Sequence, residues 1–255
     1  MPDSSTANCK VCCSDAANLV IAKEFSSQHK LQFCDPAETT LLLDFSADGL
    51  VLRDGKVKLR VDFIAGESAH RQKYGGGRGQ PLARAVGMKQ GKAPPTIVDA
   101  TAGLARDAFV LASLGCPVQM IEQSAIVAAL VEDAILRAAS DPCFQQILKT
   151  GFSLQQGNSI DVLAEIAGKN PPDTVYLDPM FPGRSKSAAV KKNMQMLQKL
   201  LGHNHDDASL LKAALACALK RVVVKRPKGA PWLADKKPSA EINSRKTRYD
   251  LYIHS

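Results

Sequence analysis

Asp178-Pro179-Met180-Phe181-Pro182 sets an acid, a proline and an aromatic ring side by side, a combination suited to handling a planar amine. The Asp178 carboxylate can accept one hydrogen of an exocyclic amino group. Pro179 fixes the local backbone, so that a neighbouring carbonyl can accept the other. Phe181 offers a face on which a planar base can stack. An aryl amine is a poor nucleophile because its lone pair is delocalised into the ring. Acceptors that hold both hydrogens align that lone pair with an electrophilic carbon.

Three other stretches suit a nucleotide. Asp99-Ala100-Thr101-Ala102-Gly103-Leu104-Ala105-Arg106-Asp107 places an acid and then small residues ahead of a helix, which lets the backbone approach a ligand closely. Only Gly103 is a glycine there, so the fingerprint of nicotinamide dehydrogenases is missing. Glu122-Gln123 follows about 20 residues past this turn, where nucleotide-binding sheets grip ribose hydroxyls. Gly157-Asn158-Ser159 offers an amide and a hydroxyl where an adenine edge would lie; Asn158 serves equally as a helix cap.

These stretches need a scaffold that brings them together. Up to about residue 65 the chain reads as short strands over 18–22, 40–45, 49–53 and 56–63, with Asp54-Gly55 as a hairpin turn. Residues 66–93 form a Gly/Arg-rich connector with a short helix near 82–86. From residue 94 onward strands alternate with helices: strands over 96–99, 117–121, 152–156, 174–177, 221–225 and 248–253. Helices fall over 104–114, 125–139, 160–167, 187–201 and 208–218, with a turn of helix opened by Asp141-Pro142. The expected fold is α/β: a small β-rich N-terminal domain (1–65), the connector (66–93), and a mainly parallel, Rossmann-like sheet covered by helices (94–255). Ligands of such sheets lie at the carboxyl ends of the strands, where each stretch above falls.

The chain has 255 residues, of which 45% are apolar and 23% charged, which excludes a disordered chain. No apolar run nears the ~20 residues of a membrane span. Met1-Pro2-Asp3-Ser4-Ser5 shows neither a basic nor an apolar export segment, so the expected location is cytoplasmic. Seven cysteines then imply reduced thiols; Cys9, Cys12 and Cys13 lack the partners of a zinc site, and no metal is expected. The charge of +8 is unevenly spread. From residue 182 onward, 16 Lys and Arg stand against 5 Asp and Glu; residues 53–92 hold 10 against 3. Two basic stretches on one chain suit a polyanion, most simply a nucleic acid.

Residues 178–181 resemble the Asp/Asn-Pro-Pro-aromatic motif of S-adenosylmethionine-dependent amino-methyltransferases. With 99–109, 175–182, 221–227 and His70-Arg71-x-Lys73-Tyr74-Gly75-Gly76-Gly77-Arg78-Gly79, the chain more narrowly resembles the bacterial small-subunit ribosomal RNA guanine-N2 methyltransferase J family, over roughly residues 60–255. Met180 in place of the second proline, and Ala105 in place of a usual glycine, depart from the pattern. The resemblance implies a class I methyltransferase sheet and S-adenosylmethionine as cofactor. Asp99, Gly103, Arg106, Asp107, Glu122, Gln123, Asn158, Ser159 and Asp178 would bind that cofactor. Asp178, Pro179 and Phe181 would carry catalysis. The partner would be small-subunit ribosomal RNA or the assembled subunit, with His70, Arg71, Lys73, Arg78, Lys186, Lys191, Lys192, Lys225, Arg226 and Lys228 gripping phosphates. Two alternatives stay open: methylation of another amine, such as adenine in DNA or a glutamine amide, and a non-catalytic RNA-binding protein on the same sheet.

Overall fold

A computed structural model describes residues 9–38, 41–65, 77–180, 188–201 and 206–254. The first strands are β1 (Cys9–Cys13), β2 (Leu41–Ser46), β3 (Gly49–Asp54) and β4 (Val57–Leu59), with helix α1 (Leu19–Gln28) between β1 and β2. They form one sheet in that order, β1 parallel to β2 and the rest antiparallel. Asp54 pairs with Val57, so the hairpin loop is Gly55-Lys56, one residue later than expected, with Gly55 at φ +58. The strand expected over 18–22 is instead α1. Val20 and Ile21 are exposed, and Ala22 and Ser26, four residues apart, form its buried stripe. The Asp15 carboxylate accepts from the Ala17 amide and starts the turn that leads into it.

Helix α2 (Pro81–Ala85) precedes a second series: β5 (Ile97–Asp99), α3 (Arg106–Ser113), β6 (Val118–Glu122), α4 (Ala125–Ala138), α5 (Pro142–Gly151) and β7 (Phe152–Gln156). It continues with α6 (Ser159–Ala167), β8 (Thr174–Leu177), α7 (Ala188–Leu201), α8 (Asp207–Cys217), β9 (Arg221–Pro227), β10 (Ala240–Asn243) and β11 (Thr247–Ile253). Among the described residues the strands make one sheet of order β10-β11-β9-β8-β5-β6-β7. β9, β8, β5, β6 and β7 run parallel, and β11 is antiparallel to both of its neighbours. Strand order reverses between β5 and β8, so a crevice is expected at their carboxyl ends.

The two sheet faces bury different partners. Val98, Ile121, Val175, Leu177, Val222 and Val224 pack with Leu163 of α6 and Leu210, Leu211 and Ala214 of α8. On the other face Phe63, Phe109 of α3, Phe144 of α5 and Phe152 of β7 form a ring cluster with centroids 4.9–6.4 Å apart. Thr174 and Tyr176 alternate with Val175 and Leu177 and so face that second side.

By contacts, the chain divides into two compact units. One gathers the described residues up to Asp62 with 124–137 and 188–201; the other gathers the described residues of 63–123, 138–180 and 206–254. Within the first unit α7 packs on β4, and Lys199 of α7 pairs with Asp54. Arg137 of α4 pairs with Asp133 at 2.8 Å and donates to the Val61 carbonyl at 2.6 Å.

Candidate active site

β5 ends in Asp99, and the chain then turns sharply before α3. Gly103 at φ +51 and Ala105 at φ +58 both take the left-handed conformation this turn requires. For alanine that conformation is strained by about 1–2 kcal/mol. The turn is stitched to the neighbouring strands: the Ala100 amide donates to the Tyr176 carbonyl at 3.0 Å and the Ala102 amide to the Ile121 carbonyl at 3.1 Å. Glu122, at the end of β6, accepts from the Gly103 amide at 2.9 Å through its carboxylate, and its carbonyl accepts from Gly157 at 3.0 Å. The Ser159 hydroxyl donates to the Ala100 carbonyl at 2.6 Å. Four strand ends thus converge through short hydrogen bonds, since the Asp178 amide donates to the Thr101 hydroxyl.

Parallel register explains the centre of the site. Leu177 of β8 lies opposite Val224 of β9, so the next residues, Asp178 and Lys225, fall side by side. The Lys225 ammonium sits 2.7 Å from Asp178 Oδ2 and 2.6 Å from Asp107 Oδ2. Tyr176, two residues before Asp178 and on its side of the strand, donates its hydroxyl to the same Asp107 oxygen at 2.7 Å. The result is a chain of contacts, Tyr176–Asp107–Lys225–Asp178.

Three acids with one lysine make the cluster electronegative, and their protonation reflects it. Burial pushes the Asp99 carboxyl up to about 8; Asp107 and Asp178 add to this, and the Thr101 amide and Lys225 oppose it. Withdrawal from water also pushes Asp178 up, against the pull of Lys225; the 39% of its side chain left open limits that push. Desolvation pulls Lys225 down, but Asp178 and Asp107 together outweigh it and hold the ammonium above its ordinary value. Burial, then the Asp107 charge, raise the Tyr176 phenol well above its usual value, so it stays a donor.

The expected site residues are placed differently from one another. Gly103, Asp107, Glu122, Ser159 and Asp178 are drawn together by the bonds above, Asp99 accepts from the Thr101 amide at 3.1 Å in the same turn, and Pro179 is buried beside Asp178. Arg106 begins α3 and, like Gln123 after Glu122, is exposed; Asn158 caps α6, its side chain accepting from Ile160 at 2.9 Å. Lys225 and Arg226 depart from the expected phosphate-gripping role. The Lys225 charge is engaged by two carboxylates, and Arg226 is buried and donates to the Pro231 carbonyl at 3.2 Å. Arg78, Lys192 and Lys228 are exposed; Lys191 lies in α7. Phe181, His70, Arg71, Lys73 and Lys186 lie outside the described residues. Thr101 and Tyr176, which residue type alone does not single out, belong to this network as well. For Tyr176 a signal existed: a polar-tipped ring two residues before an acid, on the same strand face.

Among the described residues no group of three or more His, Cys, Asp or Glu is placed to hold a metal ion. Cys9, Cys12 and Cys34 are buried, and burial pushes the Cys9 thiol up to about 12.

Comparison with known proteins defines the class. The SAM-dependent methyltransferase family model matches residues 24–254. A crystal structure of a SAM-dependent methyltransferase from Neisseria gonorrhoeae superposes with a TM-score of 0.75 at 35% identity, covering 96% of this chain and 95% of that one. The chain is therefore an S-adenosylmethionine-dependent methyltransferase, an enzyme on a Rossmann-like class I sheet with a small N-terminal sheet. The ribosomal RNA small subunit methyltransferase J of Aeromonas salmonicida is 54% identical over 76% of either chain. That of Vibrio parahaemolyticus is 45% identical over 94% of this chain and 96% of its own. The chain belongs to the ribosomal RNA small subunit methyltransferase J family.

The residues present fit the cofactor. S-adenosylmethionine carries a sulfonium and an ammonium, and Asp107 at the end of the turn and Asp178 at the end of β8 set two carboxylates against a single lysine. Glu122 stands at the end of the adjacent strand, where ribose hydroxyls are held in such sheets.

Proposed function

We propose that this enzyme methylates the exocyclic N2 of a guanine in small-subunit ribosomal RNA, in the cytoplasm, acting on the RNA or on the assembled subunit. The observation that carries this reading is the Asp178 carboxylate, part-exposed at the switch point and tied through its own amide to Thr101 of the cofactor turn. An acceptor anchored there lies beside the place where the turn would hold a methyl donor.

In this reading Glu122 holds the ribose hydroxyls, Asn158 and Ser159 lie near the adenine, and the turn from Asp99 to Asp107, with Gly103, Arg106 and Gln123, surrounds the rest. When bound, S-adenosylmethionine supplies an already activated methyl group on its sulfonium. Asp178 accepts one hydrogen of the guanine amine and orients the nitrogen lone pair; Pro179 fixes the loop, and Phe181 stacks on the base. As the nitrogen–carbon bond forms and the sulfur–carbon bond breaks, N2 sheds a proton, which Asp178 or water takes. The guanine must leave its stack, at about a few kcal/mol. Exposed Arg78, Lys192 and Lys228, with Lys191, His70, Arg71, Lys73 and Lys186, supply charge for the phosphates.

The decisive experiment is mass mapping of small-subunit ribosomal RNA from cells with and without the gene, complemented by wild type or Asp178→Ala. One guanine should lose a single methyl group in the deletion and regain it only with wild type. Full restoration by Asp178→Ala removes Asp178 from the reaction. An unchanged RNA map, with methyl transfer to DNA or protein instead, overturns the substrate.

A further inference from the structure

Lys225 lies within the strand Arg221–Pro227, among valines that are wholly buried, and 27% of its side chain is exposed. A lysine so placed needs partners, and it has two carboxylates from different elements. We infer that Lys225 is a positioning residue: its ammonium, held between Asp107 on α3 and Asp178 at the end of β8, keeps the Asp178 carboxylate ionised and in one orientation. This rests on the reading of Asp178 as the acceptor of the amine hydrogens, and it replaces a phosphate-gripping role for Lys225.

Among the described residues, Asp178 has few other ways to stay charged. Burial and Asp107 oppose its ionisation, and Asp107 cannot turn aside, because the Tyr176 hydroxyl holds the same oxygen that Lys225 holds. Among the described residues, the other titratable groups facing the pair are Arg226, next to Lys225 in β9, and Tyr249, its partner across β11. Arg226 favours the charged form of Asp178 more weakly than Lys225 does. The lysine thus cancels one of two facing acids, so that the remaining one acts as a base rather than sharing a proton.

Two substitutions should move the same titration in opposite directions. Lys225→Met removes the compensating charge at similar length, so the acid limb of the kcat profile should rise by about 1–3 pH units. Asp107→Asn removes the like charge and leaves Lys225 to Asp178 alone, so that limb should fall. Lys225→Arg, which keeps the charge, should hold it within about half a unit of wild type. All profiles are taken at saturating cofactor and RNA. The Asp178 carboxyl carbon, assigned with Asp178→Asn and followed by carbon-13 NMR in cofactor-free protein, should shift in the same directions.

A limb and an NMR titration unmoved in both variants overturn the inference. So does a Lys225→Met enzyme that loses only RNA affinity and salt dependence, or one slowed equally at every pH. If Lys225→Met does not fold, Asp107→Asn decides alone, by whether the titration falls. Full turnover in Asp178→Asn would instead defeat the reading of Asp178 itself, while the NMR titration would still decide whether Lys225 governs it.

Discussion

Asp99 carries a cost within the fold that sets a pH dependence of stability. Its carboxyl is buried at the end of β5 and is pushed up to about 8, against an ordinary value near 4. A raised acid favours the folded state when protonated. Its contribution is therefore fully present below pH ~4, declines as pH rises, and is gone above pH ~8. Asn can still accept from the Thr101 amide, as Asp99 Oδ1 does at 3.1 Å. Thermal melts of cofactor-free protein should show Asp99→Asn stabilised over wild type at pH 9, with the difference shrinking towards pH 4; a constant difference would deny the titration. Single residues were legible unevenly. Asp178, Glu122 and the turn at Gly103 stood out because acids and glycine at strand ends have few structural reasons to be there. Lys225 did not, because a lysine in the basic segment 221–228 looks like surface charge until strand register shows what lies beside it.

At the scale of elements, periodicity did most of the work. The parallel strands β5 to β9 and their helices are apolar runs of the expected lengths, and their expected spans agree with the structure to within a few residues. The misreading of α1 has a plain cause. Leu19, Val20 and Ile21 look like a buried strand, yet all three are exposed, and no local pattern records that the apolar face lies elsewhere. β10, Ala-Glu-Ile-Asn, was missed because it is short and mostly exposed. β11 shows a constraint of a different kind: Arg248 and Asp250, two apart on one face, form a two-pronged pair at 2.6 and 3.0 Å with Asp250 fully buried. Among the described residues, removing Asp250 leaves Arg248 only the Glu241 carboxylate at 3.8 Å, so Asp250→Ala should cost about 3 kcal/mol in denaturant melts. A loss below 1 kcal/mol would mean that Glu241 or water takes over Arg248.

At the scale of the whole molecule, the proposed RNA binding draws on the basic excess, through counterion release rather than through any one contact. Charge reversal singly at Arg78, Lys192 or Lys228 should each weaken RNA binding uniformly across sequences and lower the salt slope by about 1. Unchanged slopes for all three would remove these residues from RNA binding. The domain layout was the least legible feature, because composition changes along the chain whereas contacts do not follow chain order. Segments 124–137 and 188–201 look in sequence like ordinary helices of the parallel sheet, yet they cluster with the N-terminal strands.

That clustering bears on how the chain is made. β4 emerges early in synthesis, but the helix that packs on it, α7, begins at residue 188. A nascent chain of 120 residues already holds β1 to β4 without the segments that complete their unit, which cannot close before residue 201 has been made.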